Sequence, residues 1–145
     1  NKTRCVYKFR KALTMMVKYR TMQDAVTEFQ KAFGRFTDVD FSQTKIVLEA
    51  REMFELRRTL IEEEYSELME AMTEEDETKI KKESADLLYV LTGLFVDFGW
   101  DMQVIFNRIH QSNMSKLDED GKPVYREDGK IMKSSRYKEA DLSGV

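Results

Sequence analysis

The sequence predicts an all-α fold: an antiparallel helical bundle of about five helices, followed by a turn-rich C-terminal arm. Apolar residues recur every three or four positions through most of residues 1–113, which is the repeat of one helix face. Pro123 is the only proline and Gly34 the only glycine before residue 93, so little in this stretch would break a helix. We expect residues 1–113 to form the bundle and residues 114–145 to form an arm or lid of the same domain.

The charge balance and the cysteine content narrow the class of protein. With 24 basic and 27 acidic residues the net charge is -3, whereas a nucleic-acid-binding protein would usually show a basic excess. The single cysteine, Cys5, cannot form an intramolecular disulfide, which favours a cytoplasmic location. The longest apolar run, residues 87–96, is about half of the roughly 20 residues that a membrane span needs. We therefore expect no nucleic-acid partner and no membrane partner.

Five helices follow from the spacing of the apolar side chains, and their ends carry the usual signals. Gly34 and Gly99 can end the second and the fourth helix, because glycine readily adopts the left-handed conformation that follows a helix. Thr73, three residues before Asp76, is the expected N-cap of the fourth helix, and Asp101 is the expected N-cap of the fifth. The expected ranges are 3–19, 22–33, 42–72, 73–98 and 101–113.

The composition changes after Asn113, where glycine, serine and charged residues replace the apolar repeat. Asp120-Gly121 and Asp128-Gly129 are turn dipeptides. The second of them can close one short hairpin between residues 124–126 and 130–132. Such a segment is typical of a lid or an arm and not of a core.

Carboxylates occupy positions of the third helix that its pattern assigns to the buried face. Glu64 lies one turn from Leu60 and one turn from Leu68, Glu67 shares that face, and Glu63 adjoins it. A solvated acidic face is the ordinary interpretation of a glutamate run. Burying ionised carboxylates without partners is costly, however, so the position of Glu64 calls for a compensating cation.

The fourth helix carries a second acidic group. Glu83 and Asp86 lie side by side at positions i and i+3, each one turn before an apolar residue. Helices joined by a short connection pack antiparallel, so the two acidic groups can face each other. An oxygen-only cluster suits Mg²⁺ or Mn²⁺. Zinc is disfavoured because Cys5 and His110 lie elsewhere, and the Glu-x-x-His pairs of di-iron bundles are missing.

The pattern Glu63-Glu64-x-x-Glu67, followed by Glu83-x-x-Asp86, resembles the metal motif of the MazG-like all-α nucleoside triphosphate pyrophosphohydrolase superfamily. The resemblance implies Mg²⁺-dependent hydrolysis of a nucleoside triphosphate, with the deoxy form expected, between the α and β phosphates. It also implies a role in nucleotide-pool control or house-cleaning. The five carboxylates would hold two or three Mg²⁺ ions, for which Mn²⁺ can substitute. Glu64 is the expected general base, with Glu63 a close second.

Further positions resemble the substrate-binding parts of that superfamily. Tyr89, in a segment similar to the second metal helix, can bond to or stack on the sugar. Asn113-Met-Ser-Lys116, with the later Lys130 and Lys133, resembles the C-terminal phosphate-handling segment of one subtype. The lysines can equally be solvated surface charges, and Tyr89 can be a core residue.

The base-binding end of the pocket is the least defined by the resemblance. Phe29, Gln30 and Phe33 are its candidate residues, but related sequences often have Phe-His where this chain has Phe29 and Gln30. Residues 133–137 also replace a Lys-Gly turn that is common in such proteins. Base preference is therefore not carried over.

A non-enzymatic alternative also follows from the pattern: a helical oligomerisation or interaction module that presents an acidic face to a basic partner. It predicts exposed carboxylates and no metal dependence. Under either hypothesis, residues 87–96 are apolar almost all round, and a bundle this small can hardly cover such a helix on every side. A homodimer or homotetramer is therefore expected.

Overall fold

The structure is a computed structural model that describes residues 21–35 and 46–145, with side chains described from residue 51 in the second range. Four helices lie in these ranges, and no residue in them forms a β-strand. They are α1 (Met22–Ala32), α2 (Ile46–Thr73), α3 (Glu77–Asp97) and α4 (Met102–Met114). The all-α prediction is confirmed, with four helices in the described ranges instead of about five. The expected helix at 3–19 and the expected start at 42 lie outside those ranges.

The chain divides into two compact units, one containing α1 to α3 and the other running from Trp100 to Val145. Within the ranges that the structure describes, no single helix is long and apolar enough to cross a membrane. Within the same ranges, α3 and α4 reach the length and apolar composition of a membrane span when they are counted together across the break between them.

Helix α1 begins at Met22, where the expected range begins, and ends before Gly34, as predicted. The Thr21 hydroxyl accepts a hydrogen bond from the Asp24 backbone N–H at 3.1 Å, and the Asp24 carboxylate accepts one from the Thr21 N–H at 2.9 Å. This reciprocal capping box satisfies two N–H groups that the first turn leaves without helical partners. Gly34, with a φ of 65°, follows the last turn in the left-handed conformation that a helix end requires.

The predicted N-cap of α3 is wrong. Thr73 is the last residue of α2, and its hydroxyl donates to the Met69 carbonyl at 2.9 Å. Asp76 is the N-cap: one of its carboxylate oxygens accepts from the two N–H groups of Thr78 and Lys79 at 2.9 and 3.0 Å. The threonine hydroxyl is bonded to its own helix, and the charged aspartate carboxylate takes the cap.

Helix α3 packs against both α1 and α2. A three-residue connection joins the end of α2 to the start of α3, and Arg57, in the first half of α2, contacts Asp97 at the end of α3. The two helices are therefore antiparallel, as the short connection predicts. Among the residues whose side chains are described, the buried apolar ones of this unit are Val26, Ala71, Val90, Val96 and Phe98.

A buried ion pair crosses the contact between α2 and α3. The Arg57 guanidinium donates two hydrogen bonds to the Asp97 carboxylate, one of them at 3.1 Å, and the two side chains are only 8% and 7% exposed. Gly93 lies directly beside this pair: a Cβ atom at Gly93 would come within 2.6 Å of Arg57 Cζ. On α1, Gln30 Nε2 donates to the Gly93 carbonyl at 3.2 Å. The three helices that the structure describes in the first unit therefore meet at Gly93.

Gly93→Ala should lower the free energy of unfolding by about 1–3 kcal/mol. The added methyl group would displace the Arg57 side chain, which is held in place by Asp97. The measurement is urea denaturation of the single variant and of the same change in an Arg57→Met background. The methionine side chain can move aside, so the second cost should be smaller. Equal costs in the two backgrounds would contradict a steric conflict with Arg57.

The C-terminal arm is tied to α4 within the second unit. Asp101 caps α4 as predicted, its carboxylate accepting a backbone N–H in the first turn at 3.0 Å. The Ser112 hydroxyl donates to the Lys138 carbonyl at 2.8 Å, and the Arg108 guanidinium donates to the Asp141 carbonyl, also at 2.8 Å. The arm therefore runs back along α4 near Lys138 and Asp141. Side chains of α4 hold it there by donating hydrogen bonds to its backbone carbonyls.

The predicted hairpin of the arm is reduced to one antiparallel bridge between Tyr125 and Ile131. The Arg126 N–H donates to the Lys130 carbonyl at 2.8 Å, and Gly129 takes a φ of 82° in the turn between them. Only glycine adopts this conformation without strain, which is why the Asp-Gly dipeptide marks the turn.

Candidate metal centre

Helices α2 and α3 bring three of the predicted carboxylates together. One oxygen each of Glu64, Glu83 and Asp86 lies within 4.8 Å of the other two. Glu83 is buried, with 8% of its surface exposed, and the other two residues are partly buried. The antiparallel arrangement causes this meeting, because it places Glu64 of α2 across from the first half of α3.

The other two predicted ligands lie at the edge of this cluster. Glu67 is exposed, but its charge contributes to raising the pKa of Glu64, so the two carboxylates are near each other. Glu63 is exposed and does not belong to the group of three. Their participation in a five-ligand set stays a prediction.

The pKa of Glu64 is raised above its ordinary value. Burial is the largest cause, and the negative charges of Asp86 and Glu67 add to it, with a smaller contribution from Glu83. The positive charge of Lys82 acts in the opposite direction. The cluster thus holds more negative charge than its own surroundings compensate, and this is the environment that favours binding of a cation.

Lys82 supplies the compensation that is present. Its ammonium group lies 3.0 and 2.9 Å from the two oxygens of Glu83 and 3.0 Å from one oxygen of Asp86. The hydrogen bonds to Glu83 and Asp86 raise the pKa of Lys82, and the bond to Glu83 is the larger cause. Sequence analysis missed this residue, although its spacing of i, i+4 to Asp86 is a recognisable signal for an ion pair on a helix.

The donor set fits a hard divalent cation. The cluster of Glu64, Glu83 and Asp86 offers carboxylate oxygens and neither imidazole nor thiolate. Opposite ligands of Mg²⁺ lie about 4.1 Å apart, because each bond is about 2.0–2.1 Å long. The three oxygens lie within 4.8 Å of one another, which is close to the largest separation between two ligands of one such ion. Mg²⁺ or Mn²⁺ therefore suits the site better than Zn²⁺.

An exposed aromatic group lies on the same unit. The Phe29 ring is 4.5 Å from the Phe33 ring and meets the Tyr89 ring edge-on at 5.7 Å, measured between centroids. All three side chains are exposed, with Phe33 at 69%. Tyr89 also follows Asp86 by three residues on α3, so the aromatic group and the acidic cluster lie one turn apart along this helix.

Gln30, the third predicted residue of the base-binding end, does not lie at the surface. It is 2% exposed, and its amide nitrogen is bonded to the Gly93 carbonyl. Its amide oxygen has no hydrogen-bond partner within the part of the chain that the structure describes. Gln30 therefore links α1 to α3, and the helical spacing alone could not distinguish this buried position from the exposed one of Phe29.

The remaining predicted substrate residues lie in the second unit. Asn113 Oδ1 accepts a hydrogen bond from Lys116 Nζ at 2.8 Å. Lys133 Nζ lies 4.1 Å from the centroid of the Tyr137 ring, a cation–π contact. Lys130 is exposed in the arm. Asn113, Lys116 and Lys133 thus have partners from their own segment, and their role in phosphate binding stays a prediction.

Carboxylates that face each other across antiparallel helices are a metal-binding arrangement of all-α proteins. The sequence profile of the family described as phosphoribosyl-ATP pyrophosphohydrolase matches residues 26–113. The chain belongs to this family, and the predicted relationship to the MazG-like all-α pyrophosphohydrolase superfamily is thereby confirmed. The match includes every predicted metal ligand and Asn113, whereas Lys116, Lys130 and Lys133 follow it.

A protein of Acanthamoeba polyphaga mimivirus, described as uncharacterized, is also similar to this chain. The two are 31% identical over 114 residues, which cover 79% of this chain and 43% of the mimivirus protein. The chain thus spans less than half the length of that relative. The description of the mimivirus protein names no activity. The similarity therefore indicates that the two proteins are related and says nothing of the reaction.

If the cluster binds a divalent cation, Glu83→Gln should weaken Mn²⁺ binding at least about tenfold, since it removes one charged ligand. Glu77→Gln is the matched control: it removes the same charge from the same helix at an exposed position paired with Lys81. Titration followed by electron paramagnetic resonance of free Mn²⁺ measures both. Equal Mn²⁺ affinities of the two variants would place the ion elsewhere.

Proposed function

We propose that this protein hydrolyses a nucleoside triphosphate, in the deoxy form, between its α and β phosphates and releases the monophosphate and pyrophosphate. The observation that carries the proposal is the convergence of Glu64, Glu83 and Asp86 in a chain that belongs to a pyrophosphohydrolase family. Cleavage between the α and β phosphates yields a monophosphate and pyrophosphate, both of which are negatively charged. An acidic cluster that binds cations suits this reaction, because the cations compensate that charge.

The carboxylates have separate roles in this proposal. Glu64, Glu83 and Asp86, with Glu63 and Glu67 at the edge, hold two or three Mg²⁺ ions. When bound, such ions neutralise the triphosphate and lower the pKa of a coordinated water. Glu64 would orient the attacking water and accept its proton. Its position supports this choice over Glu63, because Glu64 is partly buried in the cluster whereas Glu63 is exposed.

The aromatic group is the proposed contact for the base. Phe29, Phe33 and Tyr89 offer exposed ring faces and edges one turn along α3 from Asp86. Stacking of a base on an aromatic side chain contributes about 1–3 kcal/mol and tolerates any base. Gln30 acts indirectly in this proposal, since it is buried and fixes α1, with Phe29 and the C-cap residue Phe33, to α3.

The phosphate-binding proposal for Asn113, Lys116, Lys130 and Lys133 rests on their sequence motif. The three ammonium groups can bind phosphate oxygens, and the amide can donate to the sugar or a phosphate. Cytoplasmic control of the nucleotide pool is the corresponding biological role.

The non-enzymatic interaction module is less well supported. It requires an exposed acidic face, yet Glu83 is buried and Glu64 and Asp86 are partly buried. The structure agrees with one part of the alternative, because Leu88 and Leu91 are exposed on α3. We propose that a second copy of the chain covers these leucines, in a homodimer or homotetramer that also carries the enzymatic function.

The function is tested by incubating the protein and Mg²⁺ with each common ribonucleoside and deoxyribonucleoside triphosphate and measuring pyrophosphate and monophosphate. Glu64→Gln should lower kcat about 100-fold or more, because it removes the proton acceptor and a ligand charge. Glu62→Gln is the matched control, since Glu62 is exposed and paired with Arg58. Absence of product with every nucleotide would refute the proposal, and orthophosphate as the product would move cleavage to another bond.

Phe33→Ala should raise KM about fivefold or more, with little change in kcat, because it removes stacking and no reacting group. Phe106→Ala is the control: Phe106 is exposed to a similar extent, 61%, but lies on α4. Steady-state kinetics on one nucleotide that the protein hydrolyses distinguishes the two variants. An unchanged KM in Phe33→Ala would remove this ring from the base contact.

A further inference from the structure

Two neighbouring lysines of α3 have different partners. Lys81 pairs with Glu77 one turn back, and both side chains are more than 70% exposed. Lys82 reaches the acidic cluster instead, where its ammonium lies 2.9–3.0 Å from three oxygens of Glu83 and Asp86. One residue of separation along the helix thus decides whether the ammonium group pairs with Glu77 or with the carboxylates of the cluster.

We propose that Lys82 is the internal counter-ion of the acidic cluster and competes with the divalent cation for Glu83 and Asp86. This inference rests on the metal site proposed above. The ammonium bonds to both oxygens of Glu83 and to one of Asp86, so a metal ion held by Glu83 would need an oxygen that already accepts a hydrogen bond from Lys82. An ammonium group and a divalent cation on the same oxygens also repel each other, so binding of the cation releases the lysine.

The burial of the partners determines which of them moves. The Lys82 side chain is 62% exposed and has a flexible four-carbon stem, so its ammonium can turn into solvent. Glu83 is buried and cannot follow it. The carboxylates therefore stay in position while the lysine leaves, and the cluster is compensated either by Lys82 or by a metal ion.

In this proposal Lys82 lowers the affinity of the acidic cluster for a divalent cation. Lys82 stabilises the fold when no cation is bound, because the three carboxylates would otherwise repel each other at short distance. The same bonds must be broken before a metal ion can use Glu83 and Asp86. Replacing Lys82 with an uncharged residue should therefore tighten metal binding and weaken the fold without metal.

The test compares Lys82→Met with Lys81→Met in the full chain, using Mn²⁺ alone as the probe. Both changes remove one positive charge from adjacent positions and keep an unbranched side chain. Lys82→Met should bind Mn²⁺ about two- to fivefold more tightly than the unmodified protein in a titration followed by electron paramagnetic resonance. Lys81→Met should match the unmodified protein, because its ammonium is paired outside the cluster.

Thermal unfolding gives a second readout that does not depend on activity. Lys82→Met should melt at a lower temperature than the unmodified protein without divalent cation and should gain more from saturating Mn²⁺. A variant that is unfolded without the cation and folds when Mn²⁺ is added would support the proposal equally. Lys82→Arg, which keeps the charge, should resemble the unmodified protein in both measurements.

Two results would overturn the inference. Unchanged or weaker Mn²⁺ binding by Lys82→Met would show that the lysine does not compete with the ion. An equal gain in Lys81→Met and Lys82→Met would show that net charge alone controls the affinity. Failure of the underlying metal site is a different result: in that case the unmodified protein itself would bind no Mn²⁺, and Glu83→Gln would change nothing.

Discussion

The meeting of three helices at Gly93 is the constraint on which the rest of the first unit depends. The glycine has no side chain, so the Arg57 guanidinium can lie against α3 and pair with Asp97. Its carbonyl meanwhile accepts the amide of Gln30 on α1. Removing either partner of a buried ion pair leaves an uncompensated charge, so the contact specifies one alignment of α2 against α3 more strongly than apolar packing alone would.

That alignment places the acidic cluster. Glu64 follows Arg57 by seven residues, which is about two helical turns, so both project from the same face of α2. On α3, Glu83 precedes Asp97 by fourteen residues, or about four turns, and again shares its face. The contact between the two helices thus carries charge at both ends. At one end an arginine and an aspartate neutralise each other, whereas at the other end carboxylates meet carboxylates and, among the residues that the structure describes, Lys82 is the cation paired with them. This imbalance is the physical reason for proposing a cation there.

Several parts of the site follow from local patterns, and others do not. Leucines at one turn on either side of Glu64 predict that it lies toward a helix contact, and the spacing of Glu83 and Asp86 predicts that they are neighbours. The same rules gave a wrong N-cap at Thr73, because the Asp76 side chain competed successfully for the cap. They also treated Gln30 like Phe29, although one is buried and the other exposed.

The sequence by itself determined the four helices of the described ranges, most of their ends and the residue types of the acidic cluster, because these depend on neighbours within one or two turns. Only the tertiary structure decided which carboxylates meet, where the Gln30 side chain lies and which residues contact Gly93. Those outcomes depend on bonds between residues 40 and 63 positions apart, Arg57 to Asp97 and Gln30 to Gly93. A helical repeat specifies which face a residue lies on, but the partner of that face and its alignment are fixed only when distant segments pack together.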